Sequence, residues 1–415
     1  MDAPILGHVA LSYSPVIDQK RRILATRLSV FPLQPGRWLP VAELLSALGS
    51  ICPPEGPLVA LSVRSEGVLA ELLTVQPNPN LLIEVPKFMA GDPLHRDAIM
   101  TLANHGNSLL LSGRPEHPLP KDMLPCFRYS IIDVADERRT LGGKAPPPGV
   151  KRSIGFWQEG VRSRADMDAA FERGALAVVG WPLQAPPKDQ PAEAPTLRGL
   201  RAPVGSRSKL EDGRPELSAI IQLINEVEDE VPLSDLEATL RRDPTLAFKL
   251  MRYINSPLFG LSTEISSFSH AVMLLGYQRL KRWLALLLVT AGDDPNHRPL
   301  MYAALRRGLM MEALATEMGH GDCKSDMFIC GLFSLLDRMM NKPFDVLLQS
   351  IPVVDDVEQA LLGAGGPYQH ALDLVRATEG GFGHDIREQA EASLLDMRGV
   401  NRALLHALGG AQQLM

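Results

Sequence analysis

The spacing of apolar and polar positions divides this chain into two dissimilar halves. In the first, up to about residue 185, short apolar runs alternate with helical patterns. Ile23-Leu24-Ala25, Val59-Ala60-Leu61, Leu81-Leu82-Ile83, Leu109-Leu110-Leu111, Ile131-Ile132 and Ala177-Val178-Val179 are brief and rich in branched residues, which predicts buried strands. Between them, 41–48, 93–105 and 164–173 carry helical patterns. Strand then helix, repeated, predicts a mainly parallel sheet covered by helices, either open or closed into a barrel. In such folds the chemistry sits at the C-terminal ends of the strands.

The second half has a helical period throughout. Leu217, Ile220, Ile221, Ile224 and Val227 fall on one stripe, a core face. Ser234 and Glu237 form a capping box, in which each side chain satisfies a backbone N–H at the helix start. Asp243-Pro244 opens a second helix, with Asp as the cap and Pro where its missing N–H costs nothing. Leu246, Leu250 and Ile254 give that helix one apolar row, and Asn255-Ser256-Pro257 ends it. Ser266 or Ser267 caps a third helix, which Gly276 ends, and 277–289 forms a fourth. Further helices are expected over 301–318, 327–340, 357–362, 368–377 and 386–395. Their methionines stand among leucines at helical spacing, so they read as core filling.

Between the halves, Pro182, Pro186, Pro187, Pro191, Pro195 and Pro203 punctuate a stretch with no apolar period. Proline at that density makes a semi-rigid spacer. The organisation is therefore an α/β domain over 1–185, a proline-rich linker over 186–206 and an all-α domain over 207–415. A break of this kind predicts that the two halves fold independently.

Composition changes this picture little. The chain has 415 residues, 45% of them hydrophobic, ample for two cores, and a net charge of −6 that gives no reason to expect nucleic acid as the main partner. The linker cations (Arg198, Arg201, Arg207, Lys209) read as solvated, and Arg279, Lys281 and Arg282 as a solvated face or a domain interface. Cys52, Cys126, Cys323 and Cys330 include no CxxC pair, as expected of four reduced thiols in a cytoplasmic protein. Neither a signal sequence nor a membrane span is expected. Phosphate-loop, zincin, dinucleotide and nucleophile-elbow motifs are absent from the sequence.

Two resemblances sharpen the reading. Asp243-Pro244-Thr245-Leu246, Asn255-Ser256, Ile265-Ser266-Ser267, Ala271 and Leu275-Gly276 resemble, in order and spacing, the HDOD domain, a noncatalytic helical relative of the HD-type metal phosphohydrolases. The resemblance singles out Asp243, Pro244, Asn255, Ser256, Ser266 and Gly276, and Asn255 is expected to fix how two helices cross. Where active HD enzymes place an adjacent His-Asp pair, the similar segment has Ser334 and Leu335. A literal His384-Asp385 pair stands at a loop-to-helix junction, where Asp is a natural cap.

The first half resembles a truncated, degenerate EAL domain, the barrel that hydrolyses cyclic di-GMP. Its anchors are Pro15-Val16-Ile17-Asp18, Ile83-Glu84-Val85, Gly106, Ile132-Asp133-Val134, Glu159-Gly160-Val161 and Gly180. The active family holds two divalent metals with acidic and amide ligands. At the matching positions this chain has Arg27 in place of the Glu of the family's name, and Phe31 in place of a phosphate-contacting Arg. Ser62 replaces an Asn ligand, Ser112 and Gly113 replace paired aspartates, Ile131 replaces a Lys, Arg162 replaces a Glu, and Val179 replaces a late Gln. Glu84, Asp133 and Glu159 keep the family's residue type. If Arg27 and Arg162 point into the barrel mouth, Glu84 and Glu159 are expected to pair with them.

The resemblances imply a noncatalytic regulator or scaffold, with no metal and no cofactor. It would act by docking to other signalling proteins, or as a homodimer, in cyclic di-GMP-linked control of motility or surface attachment. The alternative they imply is a metal-independent cyclic di-GMP receptor that does not hydrolyse its ligand.

Overall fold

The computed structural model describes residues 3–182, apart from 35, 37, 54–55, 107, 116–118 and 137–153. It also describes residues 215–414, apart from 233–234, 237, 240–267 and 291–294. The linker and most of the HDOD-like signature, including Asp243, Pro244, Asn255, Ser256 and Ser266, lie outside the described residues.

The alternating half is a closed barrel of eight strands in chain order: β1 (Val9–Asp18), β2 (Ile23–Pro32), β3 (Leu58–Val63), β4 (Leu81–Pro86), β5 (Leu109–Ser112), β6 (Phe127–Asp133), β7 (Gly155–Glu159) and β8 (Ala177–Val179). β2 to β8 are parallel, and β1 runs antiparallel to both its neighbours. Helices α1 (Val41–Leu48), α2 (Glu66–Leu72), α3 (Pro93–Asn104) and α4 (Arg164–Glu172) cover the outside. Asp92 caps α3, and Ser163 with Asp166 caps α4. The predicted runs of the sequence all fall in strands. The pattern missed β1, β7 and α2.

Side chains alternate strictly across the barrel wall. Val16, Ala25, Ala60, Leu82, Leu110, Ile131, Trp157, Ala177 and Val179 fill the interior as one apolar cluster. By the two-residue period of a strand, Arg27, Ser62, Glu84, Ser112, Asp133 and Glu159 point to the same side, one step nearer the C-terminal ends. The mouth is therefore lined by several of the positions singled out in the sequence.

The second half is helical. Its longer helices among the described residues are α5 (Pro215–Glu228), α6 (Phe268–Thr290), α7 (Arg298–Glu317), α8 (Lys324–Phe333), α9 (Asp355–Leu362), α10 (Gln369–Ala377), α11 (Gly383–Ala392) and α12 (Met397–Leu414). Ile220, Ile224 and Val227 of α5 are buried, as the stripe predicts, whereas Ile221 is only half-buried and Leu223, outside the stripe, is buried. α6 breaks at Gly276, where φ is 71° and ψ 168°, a conformation that favours glycine, so the third and fourth predicted helices meet there. Lys281 pairs with Glu228. Arg282 bonds Glu312 at 2.6 Å and lies 3.9 Å from the centre of the Phe328 ring, so neither is a free surface cation. α7 and α8 approach closely: a Cβ on Gly331 would meet the Arg307 carbonyl oxygen at 2.5 Å.

The two halves share a core. Leu6, Val9, Leu11, Tyr13, Leu28 and Val30 of the barrel belong to the same buried cluster as Met310, Leu314, Val400 and Leu404 of the helices. The reason lies in strand length. β8 has only three residues, and it pairs with β1 only from Val16 to Asp18. The earlier part of the β1 edge is covered by the helical half. The Leu11 N–H donates to Asn401 Oδ1 at 3.1 Å, and Asn401 Nδ2 donates to the carbonyls of Leu6 and Val9, each at 2.7 Å. The Tyr13 N–H donates to the Thr378 carbonyl at 2.8 Å. This apolar, hydrogen-bonded junction argues against the expectation that the halves fold independently.

Candidate functional site

At the barrel mouth the central group is Arg27. It stands on β2 between interior-facing Ala25 and Ser29, and parity turns its side chain inward. Its Nε donates to Glu84 Oε2 at 2.8 Å, its Nη2 donates to Glu84 Oε1 at 2.6 Å, and its Nη1 bonds Glu159. Arg27 and Glu84 are almost fully enclosed, whereas the Glu159 side chain keeps 29% exposure at the rim. The fork-on-fork geometry with Glu84 is the strong bidentate form of an ion pair.

Burial by itself lowers the pKa of Arg27, but the charges of Glu84 and Glu159 outweigh it and raise the value. Burial likewise raises that of Glu84, and the Arg27 charge and hydrogen bonds more than reverse this, holding the carboxyl below its ordinary range. One guanidinium is thus shared by two carboxylates, which leaves the triad a net charge of −1 with Arg27 occupying the space between them. A dication at the same place would face a guanidinium already bonded to both glutamates, so the residues present do not fit a metal here. Among the described residues, no group of three or more His, Cys, Asp or Glu side chains is disposed to hold a metal ion.

The other singled-out positions are placed as follows. Ser62 and Ile131 are buried inside the barrel. Ser112 hydrogen-bonds Glu84. Gly113 turns the chain after β5 at a φ of 86° and donates its N–H to the Ile131 carbonyl at 2.8 Å. Arg162 is exposed beyond the end of β7 and makes no ion pair with Glu84 or Glu159. Of the two arginines considered for pairing with the glutamates, only Arg27 does so. The difference is position: Arg162 lies past Gly160, whose φ of 81° turns the chain away from the strand.

A second buried arginine occupies the helical half. Arg307 on α7 donates from Nε and Nη2 to Glu379 at 2.8 and 2.6 Å, and from Nη1 to Ser334 Oγ at 3.0 Å. Ser334 in turn donates to the Gly331 carbonyl at 2.6 Å. The position that resembles the His-Asp dyad therefore holds a hydroxyl bonded to a guanidinium, and Leu335 beside it is buried core. Asp385 accepts from the Phe382 N–H at 3.1 Å, as a cap, and His384 beside it is exposed.

Arg306, the neighbour of Arg307, was not singled out by the sequence reading. It is 1% exposed, and its Nη2 donates to Thr26 Oγ1 on β2 at 2.8 Å. Its guanidinium lies 3.8 Å from the Tyr302 ring centre and 4.8 Å from that of Tyr13. Among the described residues it has no carboxylate within salt-bridge distance, and burial pushes its pKa down to about 9. The available signal was an Arg-Arg pair inside the apolar run from Met301 to Met311, where charge must find partners.

Comparison with known proteins gives two kinds of match. Residues 215–340 match the HDOD domain family model. An uncharacterized Bacillus subtilis protein, YuxH, is 32% identical over 163 residues, 38% of this chain and 39% of that protein. The Vibrio cholerae protein named cyclic di-GMP phosphodiesterase CdgJ is 27% identical over 201 residues, 48% of this chain and 46% of its own length. The chain thus spans less than half the length of these curated relatives. Among solved structures, the PaMucR phosphodiesterase in complex with c-di-GMP is 15% identical, with a TM-score of 0.29, over 43% of this chain and 96% of that one. The FimX EAL domain from Pseudomonas aeruginosa bound to c-di-GMP is 17% identical, with a TM-score of 0.26, over 43% of this chain and 90% of that one.

Proposed function

We propose that this chain, which carries an HDOD domain at residues 215–340 beside an eight-stranded barrel, is a noncatalytic regulator of cyclic di-GMP-linked signalling that works by docking to other proteins. One observation carries the reading: the guanidinium of Arg27 fills the space between Glu84 and Glu159. Hydrolysis of a phosphodiester by a two-metal route needs concentrated, uncompensated negative charge from the protein. Here Arg27 offsets one of the two glutamate charges and engages both carboxylates, so neither is free to take up a metal. The name of the Vibrio cholerae relative and the EAL-like motifs support the link to cyclic di-GMP. No helix among the described residues is long and apolar enough to cross a membrane.

The alternative is a receptor that binds cyclic di-GMP without cutting it. Arg64 favours this reading, since it is exposed at the end of β3 and near enough to Glu84 for its charge to act on that carboxylate. A single assay addresses hydrolysis and binding together. The purified chain is incubated with cyclic di-GMP and Mg²⁺ or Mn²⁺, and the linear dinucleotide and the bound ligand are both measured. The proposal expects neither cleavage nor retention. Retention without cleavage supports the receptor reading. Cleavage that disappears in Glu84→Gln would refute the noncatalytic assignment.

A further inference from the structure

Where the base of the barrel meets the helical half lies a half-open cavity of about 570 Å³, within the usual range for small-molecule sites. Its wall is mainly apolar: Ala25 from the barrel, Leu286 and Val289 from α6, Met301 and Leu305 from α7, and Leu332 beyond them. Among the described lining residues polar groups are few, and the charged ones are both arginines. Thr26 and Tyr302 form one side, their hydroxyl oxygens 3.2 Å apart, and Arg22 and Arg298 stand at the opening. Arg22 is bonded to Asp18 at 2.9 Å. Arg298 is exposed and has no ion pair among the described residues. Among the described residues, no Asp or Glu lines the cavity.

Behind the Thr26–Tyr302 wall sits Arg306, whose bonded amine reaches Thr26 while its Nε and Nη1 are buried without a hydrogen-bond partner among the described residues. A buried cation with no carboxylate at salt-bridge distance is costly, and the faces of Tyr13 and Tyr302 together with the more distant charge of Glu379 offset only part of that cost. A negative charge arriving in the adjacent cavity would supply the missing complement. We infer that this interdomain cavity binds a single-chain amphiphile with a terminal carboxylate. The alkyl chain would lie among Leu286, Met301 and Leu305, and the anion would lie toward Arg298 and the Thr26–Tyr302 pair. Because both halves form the walls, such a ligand would bind the joined form of the molecule better than any opened one. The inference is independent of the noncatalytic reading of the barrel mouth, which is lined by other residues.

Titration calorimetry on the full chain tests this with decanoate, decanol and acetate, each kept below its aggregation concentration. Decanoate should bind with one-to-one stoichiometry, decanol at least about tenfold more weakly, and acetate not at all. Leu305→Trp, which fills the cavity, should abolish decanoate binding. Arg298→Gln, an exposed change that leaves the fold alone, should weaken decanoate while leaving decanol unchanged. The inference is overturned if decanoate does not bind, if it binds no better than decanol, or if Arg298→Gln leaves its affinity intact.

Discussion

At the scale of single residues, the account rests on arginines placed among carboxylates. Removing one partner of a buried ion pair leaves the other charge uncompensated, which costs about 3–5 kcal/mol. Arg27→Met should therefore lower the unfolding free energy by that order, read as a lower urea midpoint at unchanged slope, with Glu84 left charged and enclosed. The double variant Arg27→Met with Glu84→Leu should recover part of the loss, because it removes the stranded charge as well. Recovery is the informative result: equal losses in the single and double variants would mean that the cost lies in packing and not in charge.

The same pair sets a pH dependence. The folded-state pKa of Glu84 lies below its ordinary value. A depressed carboxylate contributes stability that is complete above the unfolded pKa, about 4.3, and is lost as pH falls through the folded value. Urea midpoints measured from neutral pH downward should thus decline more steeply for the wild type than for the Arg27→Met, Glu84→Leu double variant. Parallel curves would show that the triad contributes nothing to acid lability.

At the scale of elements, the informative feature is the unpaired edge of β1. A three-residue β8 cannot cover a ten-residue β1, and buried backbone groups must find partners elsewhere. Asn401 satisfies three of them. Asn401→Ala would strand the Leu11 N–H and the Leu6 and Val9 carbonyls, and leaving a buried polar group unsatisfied costs about 1–3 kcal/mol. The expected result is a lower urea midpoint with an unchanged denaturant slope. A midpoint equal to wild type would mean that water replaces the amide and that the junction is looser than described.

How far the sequence carried the fold is visible at this same scale. The strands β2 to β6 and β8 were legible because each contains a branched apolar run. β7 was missed because Gly155 to Glu159 contains Trp157 and Gln158 and no branched run. β1 was noticed only through Pro15 to Asp18, since serines at 12 and 14 interrupt its apolar pattern. At the mouth, the inward direction of Arg27 followed from strand alternation once a barrel was in place, but its two carboxylate partners come from β4 and β7, which no local pattern connects. Arg307 and Glu379 are 72 residues apart, and Asn401 and Leu11 are 390 apart. Contacts of that range leave no periodic trace in one sequence.

At the scale of the whole molecule, the two halves complete each other. The barrel's outer β1–β2 face and the inner faces of α7 and α12 belong to one buried cluster, and Arg306 inserts between Tyr13 and Tyr302 across the junction. Separating them exposes this apolar surface and the edge of β1 together. A chain ending near residue 185 should therefore be aggregation-prone, and one starting near residue 207 should melt below the intact protein. The intact chain should unfold in a single calorimetric transition. Two resolved transitions, one matching each fragment, would show that the junction is an adhesion between self-sufficient domains.

The central claim is that Arg27 stands where a catalytic dication would have to sit. Mn²⁺ titration followed by electron paramagnetic resonance reads this directly, because protein-bound Mn²⁺ loses the sharp signal of the free ion. Wild type should leave the free signal undiminished at stoichiometric metal. A stoichiometric loss of free Mn²⁺ that vanishes in Glu84→Gln would contradict the account.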